Sequence, residues 1–372
     1  LTADTWGERD SVDADQLPGA KWFPDARFNF AENLLKRRDD GEALVFWGED
    51  KVRRRMTFAE LYDAVSQFAQ ALRAEGVKPG DRVAGYLPNM PEAIISMLAA
   101  ASLGATWSSC SPDFGLQGVL DRFGQIEPKV LIASDGYFYN GNTHDVRKKI
   151  ADLVGRVPSI QRVVVVPYAS TEPNISSIRD AVELSDFVGN FTPVDIHFEQ
   201  MPFDHPLYIL YSSGTTGQPK CIVHEAGGML LKHAVEQVAQ FSIGPDSKVF
   251  WFTTLGWMMW NWLASNLAWG ATLLLYDGSP FYPDGNVLWD FAAQENMTLF
   301  GTSAKYVDAC NKADLKPIDT HDLSALRSIG STGSTLVPEG FDYVYTSIKT
   351  DVHLASMSGG TDIGGCFCGG DE

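Results

Sequence analysis

The chain has 372 residues, more than one ordinary domain holds, so two or three structural units are expected. With 45% apolar and 20% charged residues it has a globular composition and can bury a core of real size. Its net charge of −18 argues against DNA or RNA as a partner, because phosphate backbones are bound by basic surfaces.

The first 40 residues are rich in Asp, Trp, Phe and Pro without periodicity and read as an irregular surface segment. Ala43 to Trp47 and Val52 to Met56 flank Gly-Glu-Asp-Lys, a hairpin signal. Thr57-Phe-Ala-Glu60 is a capping box. Behind it Phe58, Leu61, Val65, Phe68 and Leu72 recur at helical spacing, and Gly76 closes the helix. A strand at 82–87, helices at 91–103 and 116–126, a strand at 129–133, a helix at 146–154 and a strand at 162–166 follow. After residue 205 the rhythm returns: strand 207–211, helix 227–240, strand 249–254, helix 258–268, strand 271–276, helix 287–295 and strand 298–301. Such alternation predicts parallel sheets with helices on their faces.

The expected fold class is therefore α/β, with two similar parallel-sheet subdomains, helices on both faces and a small β-rich part. Residues 1–56 form the irregular segment with its hairpin, 57–204 the first α/β subdomain, and 205–372 the second. Residues 249–276 carry no charged side chain, long enough to suggest a membrane span. Gly256 and Gly270 cut the stretch into strand, helix and strand, and Asn261, Ser265 and Asn266 suit lipid poorly, so no span is expected.

Five scattered cysteines, Cys110, Cys221, Cys310, Cys366 and Cys368, are odd in number and argue for a reducing cytoplasm rather than a disulfide framework. Cys366-Phe-Cys368 lacks the second pair or nearby histidines of a metal site and reads as ordinary small residues. The chain begins with Leu1, shows no basic-then-apolar signal segment and stops at Glu372, so a piece of a longer protein is expected. Nothing in the sequence addresses the oligomeric state.

Leu207-Tyr-Ile-Leu-Tyr211 runs into Ser212-Ser213-Gly214-Thr215-Thr216-Gly217-Gln218-Pro219-Lys220. Glycines let backbone N–H groups approach a polyphosphate, hydroxyls add rotatable donors, and Lys220 supplies a point charge for the β- and γ-phosphates. The loop is not of Walker A type, which needs Gly-x4-Gly-Lys-Ser/Thr. Here the glycines are three apart, Pro219 precedes the lysine, and Cys221 follows it. A flexible Ser/Gly linker would not leave a buried strand directly and end in Pro-Lys.

Tyr211 to Lys220 resembles the signature loop of the AMP-forming acyl-CoA synthetases, the adenylate-forming superfamily. Trp22-Phe-Pro, Phe28-Asn-Phe-Ala-Glu-Asn33, Gly85-Tyr-Leu-Pro-Asn89, Trp107 to Gly115, Gly256 to Trp262 and Ser358-Gly-Gly-Thr-Asp362 carry the likeness over nearly the whole chain. Within the superfamily these motifs are most similar to the members acting on acetoacetate. The resemblance implies ATP bound by Ser212, Ser213, Gly214, Thr215, Thr216, Gly217 and Lys220. It puts Gly333, Ser334 and Thr335 beside adenine. From spacing alone that segment is equally a strand-to-helix turn, with Pro338 and Glu339 suited to a helix start. Thr361 would hydrogen-bond the α-phosphate. Asp362, where the family usually has Glu, would hold Mg²⁺, a hard cation that prefers oxygen ligands. Lys220 and Thr361 are the expected catalytic residues.

Trp257 is expected at the acyl pocket, with core packing the competing reading. His224 is assigned no proton transfer. Asp135 to Gly141 resembles a stretch near the CoA nucleotide, with Phe138 where a basic residue is expected. The implied function is ATP-dependent conversion of acetoacetate to acetoacetyl-AMP and then, with coenzyme A, to acetoacetyl-CoA. Acetate or propionate is the alternative acid, and a non-catalytic nucleotide-binding module the alternative class. Relatives carry a mobile C-terminal domain with a lysine that completes adenylation, and its motifs do not occur before residue 372. The chain alone is therefore expected to bind nucleotide but to adenylate poorly.

Overall fold

Apolar strands alternating with amphipathic helices build two seven-stranded sheets in the computed structural model, which describes residues 1–16, 18–212 and 217–370. In spatial order the first sheet contains Ala181–Glu183, Arg162–Val166, Val130–Ser134, Arg82–Tyr86, Thr106–Cys110, Pro206–Ser212 and Lys220–Glu225. The second contains His353–Ser356, Ser328–Thr332, Leu299–Ser303, Lys248–Trp251, Thr272–Asp277, Glu42–Gly48 and Val52–Thr57. Each is parallel except for its last strand, which closes an antiparallel hairpin. Small two-stranded pairs supply the β-rich remainder, among them Gly136–Tyr139 with Asn142–Asp145 and Ser358–Gly360 with Gly365–Cys368.

Local signals account for most elements. Thr57 Oγ1 accepts from Glu60 N at 3.1 Å while the Glu60 carboxylate accepts from Thr57 N at 2.8 Å, and the helix Phe58–Ala74 starts there. Gly76 follows its end with φ +73°, a conformation glycine adopts without a Cβ clash. The uncharged stretch folds as Lys248–Trp251, the helix Met258–Ser265, a 3₁₀ turn Asn266–Trp269 and Thr272–Asp277. No helix among the described residues is long and apolar enough to cross a membrane.

Several expectations differ from the structure. The strand expected over 249–254 ends at Trp251, although Phe252 N still donates to Gly301 O at 2.8 Å. The helix expected over 227–240 is α-helical across Ala226–Ala234 and continues as a π-helix, Val235–Gln240. Several strands are additional, among them Ala181–Glu183 and His353–Ser356 at the outer edges of the two sheets. Thr106–Cys110 is too polar to read as a core strand, yet all five residues are buried. Its hydroxyls have partners: Ser108 Oγ donates to Ile209 O and Ser109 Oγ to Leu255 O, both at 2.9 Å. Lys220–Glu225 is an edge strand whose apolar run, Cys221 to Val223, is short and flanked by charged and polar residues.

Sheet membership also crosses the expected boundary between residues 204 and 205. Pro206–Ser212 and Lys220–Glu225 complete the first sheet, and the hairpin Glu42–Thr57 completes the second. Leu207 to Leu210 and Ala43 to Trp47 are near-continuous apolar runs, which must lie inside a sheet covered on both faces. Sequence order does not say which sheet receives them.

The two halves meet through buried carboxylates. Glu49, fully buried at the tip of the 42–57 hairpin, accepts from Asn140 N, Gly141 N and Ser279 N at 2.6, 2.9 and 2.9 Å. Gly278 has φ +132°, and a Cβ there would collide with the Glu49 side chain. Asp277, ending its strand, accepts from Tyr168 Oη at 2.8 Å and Phe138 N at 3.4 Å, both from the first half. Arg54 on the hairpin pairs with Glu92 at 2.6 Å, at the start of the helix Pro91–Ser102.

Burial pushes the Asp277 carboxyl up to about 7, with Glu49 and Asp113 adding to the shift and the Tyr168 and Phe138 hydrogen bonds opposing it. The folded state thus holds this proton far more tightly than the unfolded chain, whose value is 3.8. Its stabilising contribution is complete below pH 4, declines as pH rises, and is gone above pH 7. Asp277→Asn keeps an acceptor for Tyr168 and removes the ionisation. Across that pH window the variant should gain about 1–2 kcal/mol over the parent, allowing for solvent reaching the carboxyl from the adjoining cavity. Parallel urea-denaturation stabilities of parent and variant from pH 4 to 7 would contradict this account.

Candidate active site

Residues singled out from sequence cluster at the carboxyl ends of parallel strands, where open α/β sheets bind ligands. The glycine-rich loop connects Pro206–Ser212 to Lys220–Glu225, and Ser212 pairs with Lys220 across the hairpin. Residues Ser213, Gly214, Thr215 and Thr216 lie outside the described residues. Gly217, with φ +97°, takes a left-handed conformation suited to glycine. Pro219 O accepts from Gln125 Nε2 at 3.0 Å, which ties the returning strand to the helix Leu116–Ile126. The Lys220 side chain is exposed and forms no ion pair among the described residues.

Thr361 and Asp362 sit in the 3₁₀ turn Thr361–Ile363, which packs beside Pro206–Ser212. Thr361 is half-buried and Asp362 exposed. His224, buried on the returning strand, has its ring beside the Thr361 backbone. Desolvation lowers its pKa, against the opposing pull of Thr361 and Asp362, so the ring is neutral at pH 7. The structure thus brings the end of the strand feeding the loop together with Thr361 and Asp362. An exposed carboxylate without a cationic partner among the described residues, next to a hydroxyl, is a donor set that fits a hard divalent cation.

Gly333, Ser334 and Thr335 follow the strand Ser328–Thr332, with Gly333 at φ +83°. Ser334 and Thr335 line a cavity of about 300 Å³ together with Lys305, Asp308, Asn311 and Glu339. The same segment leads into the helix Pro338–Tyr343, so the turn reading of this segment is realised. Thr332 Oγ1 donates to Met357 O at 3.1 Å and Met357 N to Ser331 O at 2.8 Å. This strand end is therefore coupled to the segment entering Ser358–Gly360.

Trp257 is 65% exposed, whereas Trp251, Trp260 and Trp262 are buried. Core packing does not explain it. Trp257 is the N-cap of the helix Met258–Ser265, and Trp257 N donates to Thr254 O at 3.1 Å. Gly256 before it lies against the Phe114 ring, leaving no room for a Cβ.

A second cavity, of about 480 Å³, opens between the strand ends of the two sheets. Asn89, Asp113, Tyr137, His144, Phe252 and Asp277 are among its walls. Asn89 is 2% exposed; its Oδ1 accepts from Trp260 Nε1 at 3.0 Å, and its Nδ2 has no partner among the described residues. Apart from Tyr137, which falls in the Asp135 to Gly141 stretch, the sequence gives these residues no role, although Gly85 to Asn89 and Trp107 to Gly115 stand out as motifs. A polar Asn ending an apolar strand was the available signal. Phe138 is buried against Tyr168, with ring centroids 4.9 Å apart, and also lines this cavity. Tyr137 stacks on His144 at 4.7 Å.

Comparison with known proteins agrees with the fold. An acetoacetyl-coenzyme A synthetase of Rhizobium meliloti (strain 1021) is 57% identical over 362 residues, covering 97% of this chain and 55% of that protein. The acetoacetyl-CoA synthetase of Gallus gallus is 48% identical over 358 residues, covering 94% and 53%. The chain thus spans about half the length of the curated relatives it matches. A solved acetoacetyl-CoA synthetase from Streptomyces lividans superposes with a TM-score of 0.94 at 43% identity, over 100% of this chain and 57% of that one. The family described as AMP-binding enzyme matches residues 30–371, and the chain belongs to it.

Proposed function

We propose that the protein carrying this chain is an acetoacetate–CoA ligase that consumes ATP and releases AMP and pyrophosphate. The observation that carries the reading is the Thr361–Asp362 turn packed beside the strand that feeds the glycine-rich loop. Likeness to acetoacetyl-CoA synthetases supplies the acid. An acetoacetate carboxylate oxygen attacks the α-phosphorus of ATP, and the bond to the β-phosphate oxygen breaks as pyrophosphate leaves. The CoA sulfur then attacks the acyl carbonyl, AMP leaves, and the thiol proton passes to solvent. No covalent protein nucleophile is needed, so the residues position the groups and offset charge.

On this reading Lys220, Ser212, Gly217 and the loop between them cradle the phosphates. Thr361 donates to the α-phosphate. Asp362 would hold Mg²⁺, which supplies charge neutralisation at the phosphates. Gly333, Ser334 and Thr335 line the adenine site, and Trp257 borders the acid. The free state of all five cysteines is consistent with a reducing cytoplasm as the compartment.

Pyrophosphate release by the protein that carries this chain should be fastest with acetoacetate and weaker with acetate and propionate. Preference for either of the smaller acids would reassign the substrate, and ATP binding without acid-dependent release would favour a non-catalytic module. Asp362→Asn should cut turnover roughly 10–100-fold, the usual cost of disturbing a metal-binding shell, while Asp362→Glu retains most of it. Equal loss in both variants would remove Asp362 from the metal role. Trp257→Ala should raise KM for the acid about tenfold and leave KM for ATP unchanged, the sign of lost acid binding. A change in the ATP value alone would move Trp257 out of the acyl pocket.

A further inference from the structure

Thr361 and Asp362 ride on a hairpin, Ser358–Gly360 with Gly365–Cys368, too short to be stable alone. The neighbouring helix holds it from outside. Glu236 has a side chain only 1% exposed, and it lies where the helix Ala226–Ala234 has passed into the π-helix Val235–Gln240. Its carboxylate accepts from Cys366 N at 2.8 Å and from Trp262 Nε1 at 2.9 Å. Lys232 pairs with the same carboxylate and donates to Cys366 O.

His233 is fully buried, with Nε2 2.9 Å from Gly364 O and Nδ1 2.8 Å from Ser265 Oγ. A carbonyl only accepts, so Nε2 carries the proton. Burial pushes this histidine down to about 4, so the ring is neutral at pH 7, with Nδ1 against the Ser265 hydroxyl. Gly365 has no room for a Cβ against Glu236, and Gly364, at φ +61°, none against Met229. Gly364 N in turn donates to Thr361 O at 3.2 Å.

The polar backbone groups on the returning arm are thus fixed in direction as well as in place. A purely apolar contact would bury the hairpin without orienting it, because hydrogen bonds are directional and van der Waals packing is much less so. The turn it carries is the opposite case. Asp362 is exposed, Thr361 half-buried, and neither side chain hydrogen-bonds a described residue.

We propose that Lys232, His233 and Glu236 are positioning residues for the nucleotide phosphates, setting the place of Thr361 and Asp362 relative to Pro206–Ser212. This rests on the nucleotide reading of that turn given above. None of the three touches the nucleotide; they act through the Gly364 and Cys366 backbone.

The test is calorimetric titration of parent, Glu236→Gln and Glu236→Ala proteins with Mg²⁺–ATP and with adenosine, beside hydrogen exchange over 358–368 without ligand. Glu236→Ala should weaken Mg²⁺–ATP about tenfold or more, leave adenosine unchanged and speed exchange in 358–368. Glu236→Gln, which retains an acceptor for Cys366 N, should recover most of the affinity. Should Glu236→Ala fail to fold, Trp262→Phe removes one donor to the carboxylate and should show a smaller loss, again confined to ATP. ATP and adenosine weakened alike, or unchanged exchange over 358–368, overturns the proposal. A parent protein that binds neither ligand overturns the nucleotide reading and this inference together, whereas normal parent binding with an unperturbed variant overturns the inference alone.

Discussion

Buried carboxylates satisfied by donors from another part of the chain set the geometry on which the rest depends. Glu49 takes two backbone amides from the first half and one from its own half. Asp277 takes Tyr168 Oη and Phe138 N. Glu236 takes Cys366 N and Trp262 Nε1. A carboxyl group stripped of water is costly unless donors reach it, and that requirement makes these contacts specific where an apolar seam would allow sliding. Glycine at 278 and 365 is the corresponding backbone condition, since a Cβ at either position would displace the carboxylate.

The crossing of the chain between sheets serves the same end. The 42–57 hairpin leaves the N-terminal region to join the second sheet, and Pro206–Ser212 returns to the first. Ser109 Oγ bonded to Leu255 O and Trp260 Nε1 bonded to Asn89 Oδ1 knit the strand ends of one half to the helix that begins after Trp257 in the other. A cleft lined from both sheets can keep one shape only if the sheets do not move freely, and these bonds bridge it near its floor.

Much of the fold was legible because burial leaves a period in the sequence. The capping box at Thr57 and the apolar stripe behind it produced the helix they predict, and the glycines inside the uncharged stretch separate strand, helix and strand as expected, with the first strand and the helix shorter. Thr106–Cys110 was illegible because its burial is made possible by hydroxyl hydrogen bonds to partners as far away as Leu255. Sheet membership was illegible for a related reason: an apolar run says that a strand is covered, not by what. At the candidate site, the residues that stand out in the sequence are those with short-range signatures, the glycine-rich loop and Thr361-Asp362. Lys232, His233 and Glu236 do not stand out, because their partners at Gly364 and Cys366 lie about 130 positions away.

The charge balance brings these observations together. A chain of net charge −18 repels a polyanionic nucleotide at long range, so on the proposed reading attraction must be local. At physiological salt, screening confines exposed charges to roughly 8 Å, which lets one lysine and oriented dipoles act within a site despite the surrounding excess of acids. Lys220 is exposed and free of ion pairs among the described residues, unlike Arg54, Arg55 and Lys232, which pair with Glu92, Glu295 and Glu236. Those cations are spent on internal carboxylates and cannot serve a ligand. On the proposed reading the phosphates are met by backbone N–H, hydroxyls, Lys220 and a cation at Asp362, and none of these works unless its distance to the others is held. Binding by a few placed groups in an acidic protein therefore requires the rigid seam more than a basic protein would, since a broad positive surface tolerates misplacement and a sparse set of donors does not.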